Sequence, residues 1–202
     1  MARWLAVMHT RLGGEAERLT EAARFLLRYD EDFYWAWVRR ARASLAQDVP
    51  SRSGAARRSI EWLTGRYDRV VEHLMALPAT IIHGEFYASN VLVQERAREP
   101  LRVCPVDWEM AAVGPGLMDL AALIAGGWSE EEKRALALAY RKALMPGDSW
   151  PPAPDAFLTA LEYCRLHVAV QWLGWFGQRR PYSAHAQDWL GEALRLAEKL
   201  GL

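Results

Sequence analysis

Residues 81–93, IIHGEFYASNVLV, place two isoleucines before His-Gly-Glu and a second aliphatic run after an asparagine. Runs rich in β-branched residues favour strands, and the polar residues between them are typical of a loop. Glu85 and Asn90 are therefore predicted to lie on one loop whose ends are held by strands. A further run, LRVCPVDWE (residues 101–109), predicts another strand, which ends at Asp107.

These oxygen-bearing side chains suit phosphoryl transfer. Asn90 and Asp107 offer the hard oxygen ligands that Mg²⁺ prefers, and Mg²⁺ takes few protein ligands because it shares phosphate oxygens. Glu85 is suited to accept the proton of an attacking hydroxyl group. Glu109 lies on the same face as Asp107 if the chain there is extended, and it contacts either a second metal ion or a surface arginine. Together, Glu85, Asn90 and Asp107 indicate a proton acceptor beside a metal site.

The remainder of the chain reads as mostly helical, which predicts an α+β fold that is mostly α. Apolar residues recur at steps of three and four in 15–29 and 60–77, and the ranges 155–176 and 183–200 are bounded by helix start and stop signals, Asp155 with Gly177 and Ser183 with Gly201. Each range predicts one helix. Ser129 and Glu132 form a capping-box pattern, which predicts the start of another helix. We expect at least six helices and a small β-ribbon of two to four strands, around residues 80–108, that presents the loops.

Composition narrows the class of protein. With 202 residues the chain is long enough for one domain. Lys plus Arg and Asp plus Glu both number 25, which argues against nucleic acid or an anionic membrane as a partner. Cys104 and Cys164 lack metal-type spacing, so we expect two buried thiols in a reducing cytoplasm. No apolar stretch is long enough to span a membrane, and the first residues do not read as a signal peptide.

Three segments together carry a resemblance to a known family: HGEFYASN (83–90), VCPVDWE (103–109) and GPGLMDLA (114–121). They resemble the signature of the aminoglycoside phosphotransferase family, which includes choline-kinase-like enzymes and shares the protein-kinase-like fold. That signature is His-Gly-Asp, four residues, Asn, a strand ending in Asp, and then Gly and an Asp-Leu-Ala helix start. The matching positions are His83, Gly84, Asn90, Asp107, Gly114, Asp119 and Leu120.

The resemblance implies a role for each of the central residues. It makes Glu85 the catalytic base, Asn90 and Asp107 the magnesium ligands, and Asp119 a tether for the loop. His83 is either a packed, hydrogen-bonded structural residue or an acid–base group. The implied reaction is Mg²⁺-dependent transfer of the γ-phosphate of ATP to a hydroxyl group of a small molecule.

The chain departs from the family pattern in two ways. The family has Asp where this chain has Glu85, and the longer side chain moves the carboxylate by about 1 Å, a displacement that can lower a rate on the order of 100-fold. In addition, the segment WLAVMHTRL (4–12) resembles the helix after the hinge, so residues 1–202 are expected to form a single C-terminal lobe without the N-terminal nucleotide-binding lobe. The lysines stand only in late predicted helices: Lys133, Lys142 and Lys199.

Different interpretations of the function remain open at this point. The chain is an enzyme completed by an N-lobe, which a second chain can supply, or it is a non-catalytic, pseudokinase-like binding or regulatory remnant. Self-association is another way to cover the surface that would meet an N-lobe.

The sequence indicates the binding site of the acceptor substrate less clearly. The segment YDEDFYWAW (29–37) combines Asp30, Glu31, Asp32 and Trp35. By resemblance this insert faces the acceptor pocket, where acidic groups suit an amine-bearing substrate; the alternative is a solvated helix turn. The chain also has 10 tryptophans, which form either core and lobe-interface packing or an aromatic wall for a substrate.

Overall fold

The computed structural model describes residues 1–15, 18, 25–47, 54–94, 102–144, 152–175 and 187–202. Most of these residues are helical. The α-helices are α1 (Ala2–Gly13), α2 (Glu31–Gln47), α3 (Gly54–Thr64), α4 (Tyr67–Met75), α5 (Gly116–Leu123), α6 (Glu130–Ala143), α7 (Pro154–Trp175) and α8 (Trp189–Lys199). The strands are β1 (Leu27–Arg28), β2 (Ala79–Ile82), β3 (Val91–Gln94), β4 (Arg102–Pro105) and β5 (Ala112–Pro115). The predicted α+β fold, mostly α and with more than six helices, is confirmed within the described residues.

The chain divides into two compact units. The first unit contains Met1–Arg28 and Pro78–Leu161, and the second contains Tyr29–Leu77 and Glu162–Leu202. All three segments of the family signature, residues 83–90, 103–109 and 114–121, belong to the first unit.

Two small sheets organise the first unit. In one, β5 is central, with β1 parallel on one side and β2 antiparallel on the other. In the other, β3 and β4 pair antiparallel from Val91 opposite Pro105 to Gln94 opposite Arg102. The expected ribbon is therefore two-stranded, and the run before His83 pairs with β5 instead. Strand β5 was not predicted, because its sequence contains Gly114 and Pro115, which are uncommon inside strands.

Helix α5 lies at the centre of the first unit. All eight of its residues are buried, and it packs against α1, β2 and β5. Helix α1 also packs against β2 and α6. The capping box of α6 is confirmed: the Ser129 hydroxyl accepts from the Glu132 N–H at 3.2 Å, and the Glu132 carboxylate accepts from the Ser129 N–H at 2.8 Å.

In the second unit, the short helix α4 is amphipathic, whereas α7 is buried on all sides over residues 162–171. Helix α4 buries residues at steps of three and four: Tyr67, Val70, Val71 and Leu74. The prediction of one helix over 60–77 is wrong, because α3 ends at Thr64 and α4 begins at Tyr67. Gly65 lies at the break, where the low helix propensity of glycine favours an interruption. The apolar spacing continues across the break and so does not reveal it.

Other sequence predictions need correction. A helix over 15–29 is wrong at its end, because Leu27–Arg28 pairs with β5 as strand β1; residues 16–17 and 19–24 lie outside the described residues. Cys164 is a buried thiol as expected, but Cys104 is exposed. No helix in the described parts of the chain combines the length and the apolar character needed to cross a bilayer.

Candidate active site

The site is built around a buried carboxylate. Asp119, on the fully buried helix α5, has no exposed surface. Its oxygens accept the backbone N–H of His83 at 2.7 Å, the backbone N–H of Gly84 at 2.9 Å and Nε2–H of His9 at 3.1 Å. A buried charge is costly unless it is paired and hydrogen-bonded, and three N–H donors meet that need here. The start of the loop is therefore fixed to the core by Asp119.

Glycine is required at two positions for these contacts to form. Gly84 has a φ of 84°, and a side chain there would overlap the backbone carbonyl of Met110. Gly116, at the start of α5, lies so close to His9 and Tyr140 that a methyl group would meet both of their polar atoms. The space left by Gly116 lets the Tyr140 hydroxyl reach Nδ1 of His9 at 2.8 Å. Both glycines thus permit a close approach that orients the tether.

One imidazole joins the two loops of the site. The buried ring of His83 donates from Nε2 to the carbonyl of Val106 at 2.9 Å, and its Nδ1 accepts the backbone N–H of Glu85 at 3.3 Å. This pattern assigns the ring hydrogen to Nε2. The ring of Trp108 lies 4.5 Å from that of His83, centroid to centroid. Because Val106 precedes Asp107, His83 holds the glutamate loop against the aspartate loop.

Asn90 is bonded to both loops. Its Nδ2 donates to the backbone carbonyl of Glu85 at 3.0 Å, and its own carbonyl accepts the N–H of Val106 at 2.9 Å. Its backbone N–H donates to the carbonyl of Tyr87 at 2.9 Å, which closes a turn of 3₁₀-helix over Ala88–Asn90. Since the amide nitrogen is committed to Glu85, the carboxamide oxygen is the atom that Asn90 has to offer a metal.

Asp107 has an unusual backbone. It lies two residues beyond the end of β4, is exposed, and has a φ of 65°. Aspartate tolerates this left-handed region better than most residues, yet the conformation costs on the order of 1 kcal/mol. The chain then turns, so the extended backbone on which Asp107 and Glu109 would share one face is not present. Strained residues of this kind cluster at functional sites.

Electrostatics nevertheless relate the three acidic groups. Burial raises the pKa of the Glu85 carboxyl group above its usual range, and the negative charges of Asp107 and then Glu109 raise it further. Mutual repulsion of this kind favours a proton or a cation among the carboxylates. A carboxyl group with a raised pKa is also better suited to accept a proton near neutral pH.

The residues proposed for substrate binding lie in the second unit: Asp30, Glu31, Asp32 and Trp35. Asp30 accepts the backbone N–H of Phe33 at 2.9 Å, as an N-terminal cap of α2 does. The ring of Trp35 packs edge-on against Tyr67, 6.0 Å between centroids. These contacts are structural, and the role of the four residues in substrate binding stays a prediction.

His9 and Tyr140 belong to the site but were not singled out from the sequence. The available signal was periodicity: Ala2, Leu5, Ala6 and His9 follow steps of three, one and three, and all are buried on α1. A histidine on the apolar face of a helix needs a polar partner inside the core, and Asp119 supplies it.

Comparison with known proteins identifies the family. Residues 1–155 match the family model of the phosphotransferase enzyme family, APH, and the chain belongs to that family. A search of the curated proteins gave no match.

Two solved structures share the fold. A choline/ethanolamine kinase family protein from Mesorhizobium loti aligns with a TM-score of 0.52 and 17% identity, over 87% of this chain and 54% of that one. An ethanolamine kinase from Plasmodium vivax aligns with a TM-score of 0.54 and 13% identity, over 100% of this chain and 57% of that one. At such identities the likeness shows the protein-kinase-like fold alone. The chain spans little more than half the length of either structure.

Removing the buried carboxylate tests the tether. Asp119→Ala leaves the amides of His83 and Gly84 and the ring of His9 without their acceptor, so we expect the free energy of unfolding to fall by about 3–5 kcal/mol. Urea unfolding measures this change. Glu72→Ala, which removes an exposed carboxylate of α4 outside its first turn, should change stability by less than about 0.5 kcal/mol. An Asp119→Ala curve that overlays that of the unsubstituted protein would contradict the tether.

The arrangement of the acidic groups predicts a titration result. Asp107→Asn should lower the pKa of Glu85, Glu109→Gln should lower it by less, and neither should return it to its ordinary value because burial remains. NMR titration of the Glu85 side-chain carboxyl carbon measures the pKa directly. Glu130→Gln, an exposed change on α6, is the control and should have no effect. An unchanged Glu85 titration in Asp107→Asn would show that the two groups are not neighbours.

Proposed function

We propose that this chain carries the phosphoryl-transfer site of a small-molecule kinase, which transfers the γ-phosphate of ATP to a hydroxyl group with the help of Mg²⁺. The observation that carries the proposal is the double hydrogen bond of His83, which joins the loop of Glu85 to the loop of Asp107. Membership of the phosphotransferase family supports the reaction class.

Glu85 is the proposed proton acceptor. Its backbone is held at both ends, since its N–H donates to His83 and its carbonyl accepts from Asn90. Its raised pKa suits it to take the proton of an acceptor hydroxyl as the oxygen attacks. In this proposal the fixed backbone holds Glu85 where its longer side chain reaches the acceptor hydroxyl, as the shorter aspartate does in the family.

Asn90 and Asp107 are the proposed magnesium ligands. Their carboxamide and carboxylate oxygens are the hard donors that Mg²⁺ prefers. Because Mg²⁺ is usually held by one or two protein ligands, its remaining ligands would be waters and phosphate oxygens of the nucleotide. When bound, Mg²⁺ supplies positive charge that stabilises the phosphates during transfer.

The nucleotide needs further protein surface. We propose that an N-terminal lobe, on a longer protein or on a second chain, supplies the contacts to the phosphates. The coverage of little more than half of each related structure supports this. Leu92, two residues after Asn90 on β3, is exposed and offers an apolar side chain for such a partner or for the base.

The acceptor is proposed to be a small molecule that carries both a hydroxyl group and an amine. Its support is indirect: the solved structures are named as choline/ethanolamine or ethanolamine kinases, and Asp30, Glu31 and Asp32 are acidic groups near Trp35 in the sequence. We place the protein in the cytoplasm, where ATP is available and the exposed thiol of Cys104 stays reduced.

Substitutions in the longest natural protein that contains this chain test the assignment. Glu85→Gln should lower kcat by about 10²–10⁴-fold and leave the affinity for Mg²⁺–nucleotide nearly unchanged, because it removes a proton acceptor and no metal ligand. Asp107→Ala should lower both kcat and the affinity for Mg²⁺–nucleotide. Calorimetry with a non-hydrolysable nucleotide measures binding, and phosphate transfer to choline, ethanolamine and an aminoglycoside measures turnover.

The same assays include a control and a contrary outcome. Glu130→Gln, on the exposed face of α6, should change neither binding nor turnover. If the protein binds Mg²⁺–nucleotide, phosphorylates no acceptor, and Glu85→Gln leaves its slow ATP hydrolysis unaltered, the site is not catalytic and the chain is a binding or regulatory relative.

A further inference from the structure

The core of the second unit contains four titratable side chains that the proposed reaction does not use. They are Tyr34 on α2, Tyr67 on α4, and Cys164 and His167 on α7, and none has exposed surface. The Tyr67 hydroxyl lies 2.8 Å from Nδ1 of His167. The ring of Tyr34 meets that of His167 edge-on, with 4.8 Å between centroids and 89° between planes.

Hydrogen bonding assigns the state of the imidazole. If Nδ1 of His167 accepts from the Tyr67 hydroxyl, the ring hydrogen lies on Nε2. Within the described residues, Nε2 of His167 and the hydroxyl of Tyr34 are both buried without a hydrogen-bond partner. A second proton would turn Tyr67 from donor to acceptor and would create a buried cation whose Nε2–H has no acceptor. Each of these changes is unfavourable inside a protein core.

Among the residues that the structure describes, no negative charge acts on His167 to compensate such a cation. Burial raises the pKa of Tyr34, Tyr67 and Cys164, so these groups remain neutral. Asp30 acts on Tyr34 and does not shift the pKa of His167, which burial alone lowers to about 3.

The two charged groups of the same helix that lie within five residues of His167, Glu162 and Arg165, are paired elsewhere. Arg165 bonds Glu162 at 3.1 Å and Glu192 at 2.7 Å, and Lys199 bonds Glu162 at 2.8 Å. Within the described residues, the ring of His167 is thus surrounded by neutral groups on α2, α4 and α7.

We propose that His167 makes the second unit proton-sensitive: opening of this unit takes up one proton at His167, so acidification loosens it. The sign follows from the two pKa values. In the open chain an imidazole has a pKa of about 6.5, above the folded value, so the open form binds more protons and the unit loses stability as the pH falls. The loss begins near pH 6.5 and continues towards pH 3. Relative to neutral pH, the opening constant should rise about tenfold at pH 5.5 and about a hundredfold at pH 4.5.

Hydrogen exchange tests the proposal on the whole chain. The opening constant of the slowest amides of α4 is measured from pH 7.5 to 4.5, corrected for intrinsic exchange, in the unsubstituted protein and in the double variant His167→Phe with Tyr67→Phe. The double variant replaces both hydrogen-bond partners by rings of similar shape and so preserves packing. It should lack the tenfold and hundredfold increases, while carboxylates contribute equally to both proteins.

The control is His73→Gln. His73 is exposed, its Nδ1 donates to the Arg69 carbonyl at 2.8 Å, and its ring stacks on that of Tyr163 at 4.0 Å between centroids. The substitution leaves the His167 ring and its Tyr67 partner unchanged. This variant should keep the pH dependence of the unsubstituted protein. Equal pH dependence in the unsubstituted protein and the double variant would overturn the proposal. If the double variant does not fold, NMR of the unsubstituted protein decides: ring signals of His167 that stay constant from pH 7.5 to 5 support the proposal, and a midpoint near pH 6.5 overturns it.

Discussion

The hydrogen bonds that Asp119 accepts are the constraint on which the rest of the site depends. Helix α5 is buried along its whole length, so its carboxylate has no access to water and must be satisfied by protein donors. Two of those donors are consecutive backbone amides of the loop that begins at His83. Because the donors are backbone amides, the hydrogen bonds fix the position of the main chain at His83 and Gly84. The loop is therefore held in one place before any of its side chains acts.

From Asp119, further hydrogen bonds hold the rest of the site in place. The His83 ring reaches Val106 and Glu85, and Asn90 reaches Glu85 and Val106 in turn. The two groups farthest along this chain of hydrogen bonds are in unfavourable states: Glu85 has a raised pKa, and Asp107 adopts a left-handed backbone conformation. A rigid support beneath strained and mutually repelling groups is the arrangement expected where charge is to be neutralised by a ligand.

Much of the site was predictable because its residues are close in sequence. Glu85 and Asn90 share one loop, and Asp107 follows the next strand pair, so their types and spacing were enough to group them. The contacts of His9 and Tyr140 were not predictable, because they join residues 131 positions apart. Strand β5 was missed because Gly114 and Pro115 mask it, and the break at Gly65 was missed because the apolar stripe continues through it. The local capping box at Ser129 was predicted correctly, since every group that forms it lies within one helical turn.

A paramagnetic metal tests the central claim, that the Glu85–Asn90 loop and the Asp107 loop form one metal-binding site, most directly. Mn²⁺ is accepted by the same oxygen ligands as Mg²⁺ and broadens NMR signals of nearby nuclei. Titration of Mn²⁺ with nucleotide into the longest natural protein that contains this chain should broaden, at the lowest metal concentrations and together, the signals of Asn90, Asp107 and Glu85. Broadening that begins instead at Asp30, Glu31 and Asp32, or at only one of the two loops, would contradict the account.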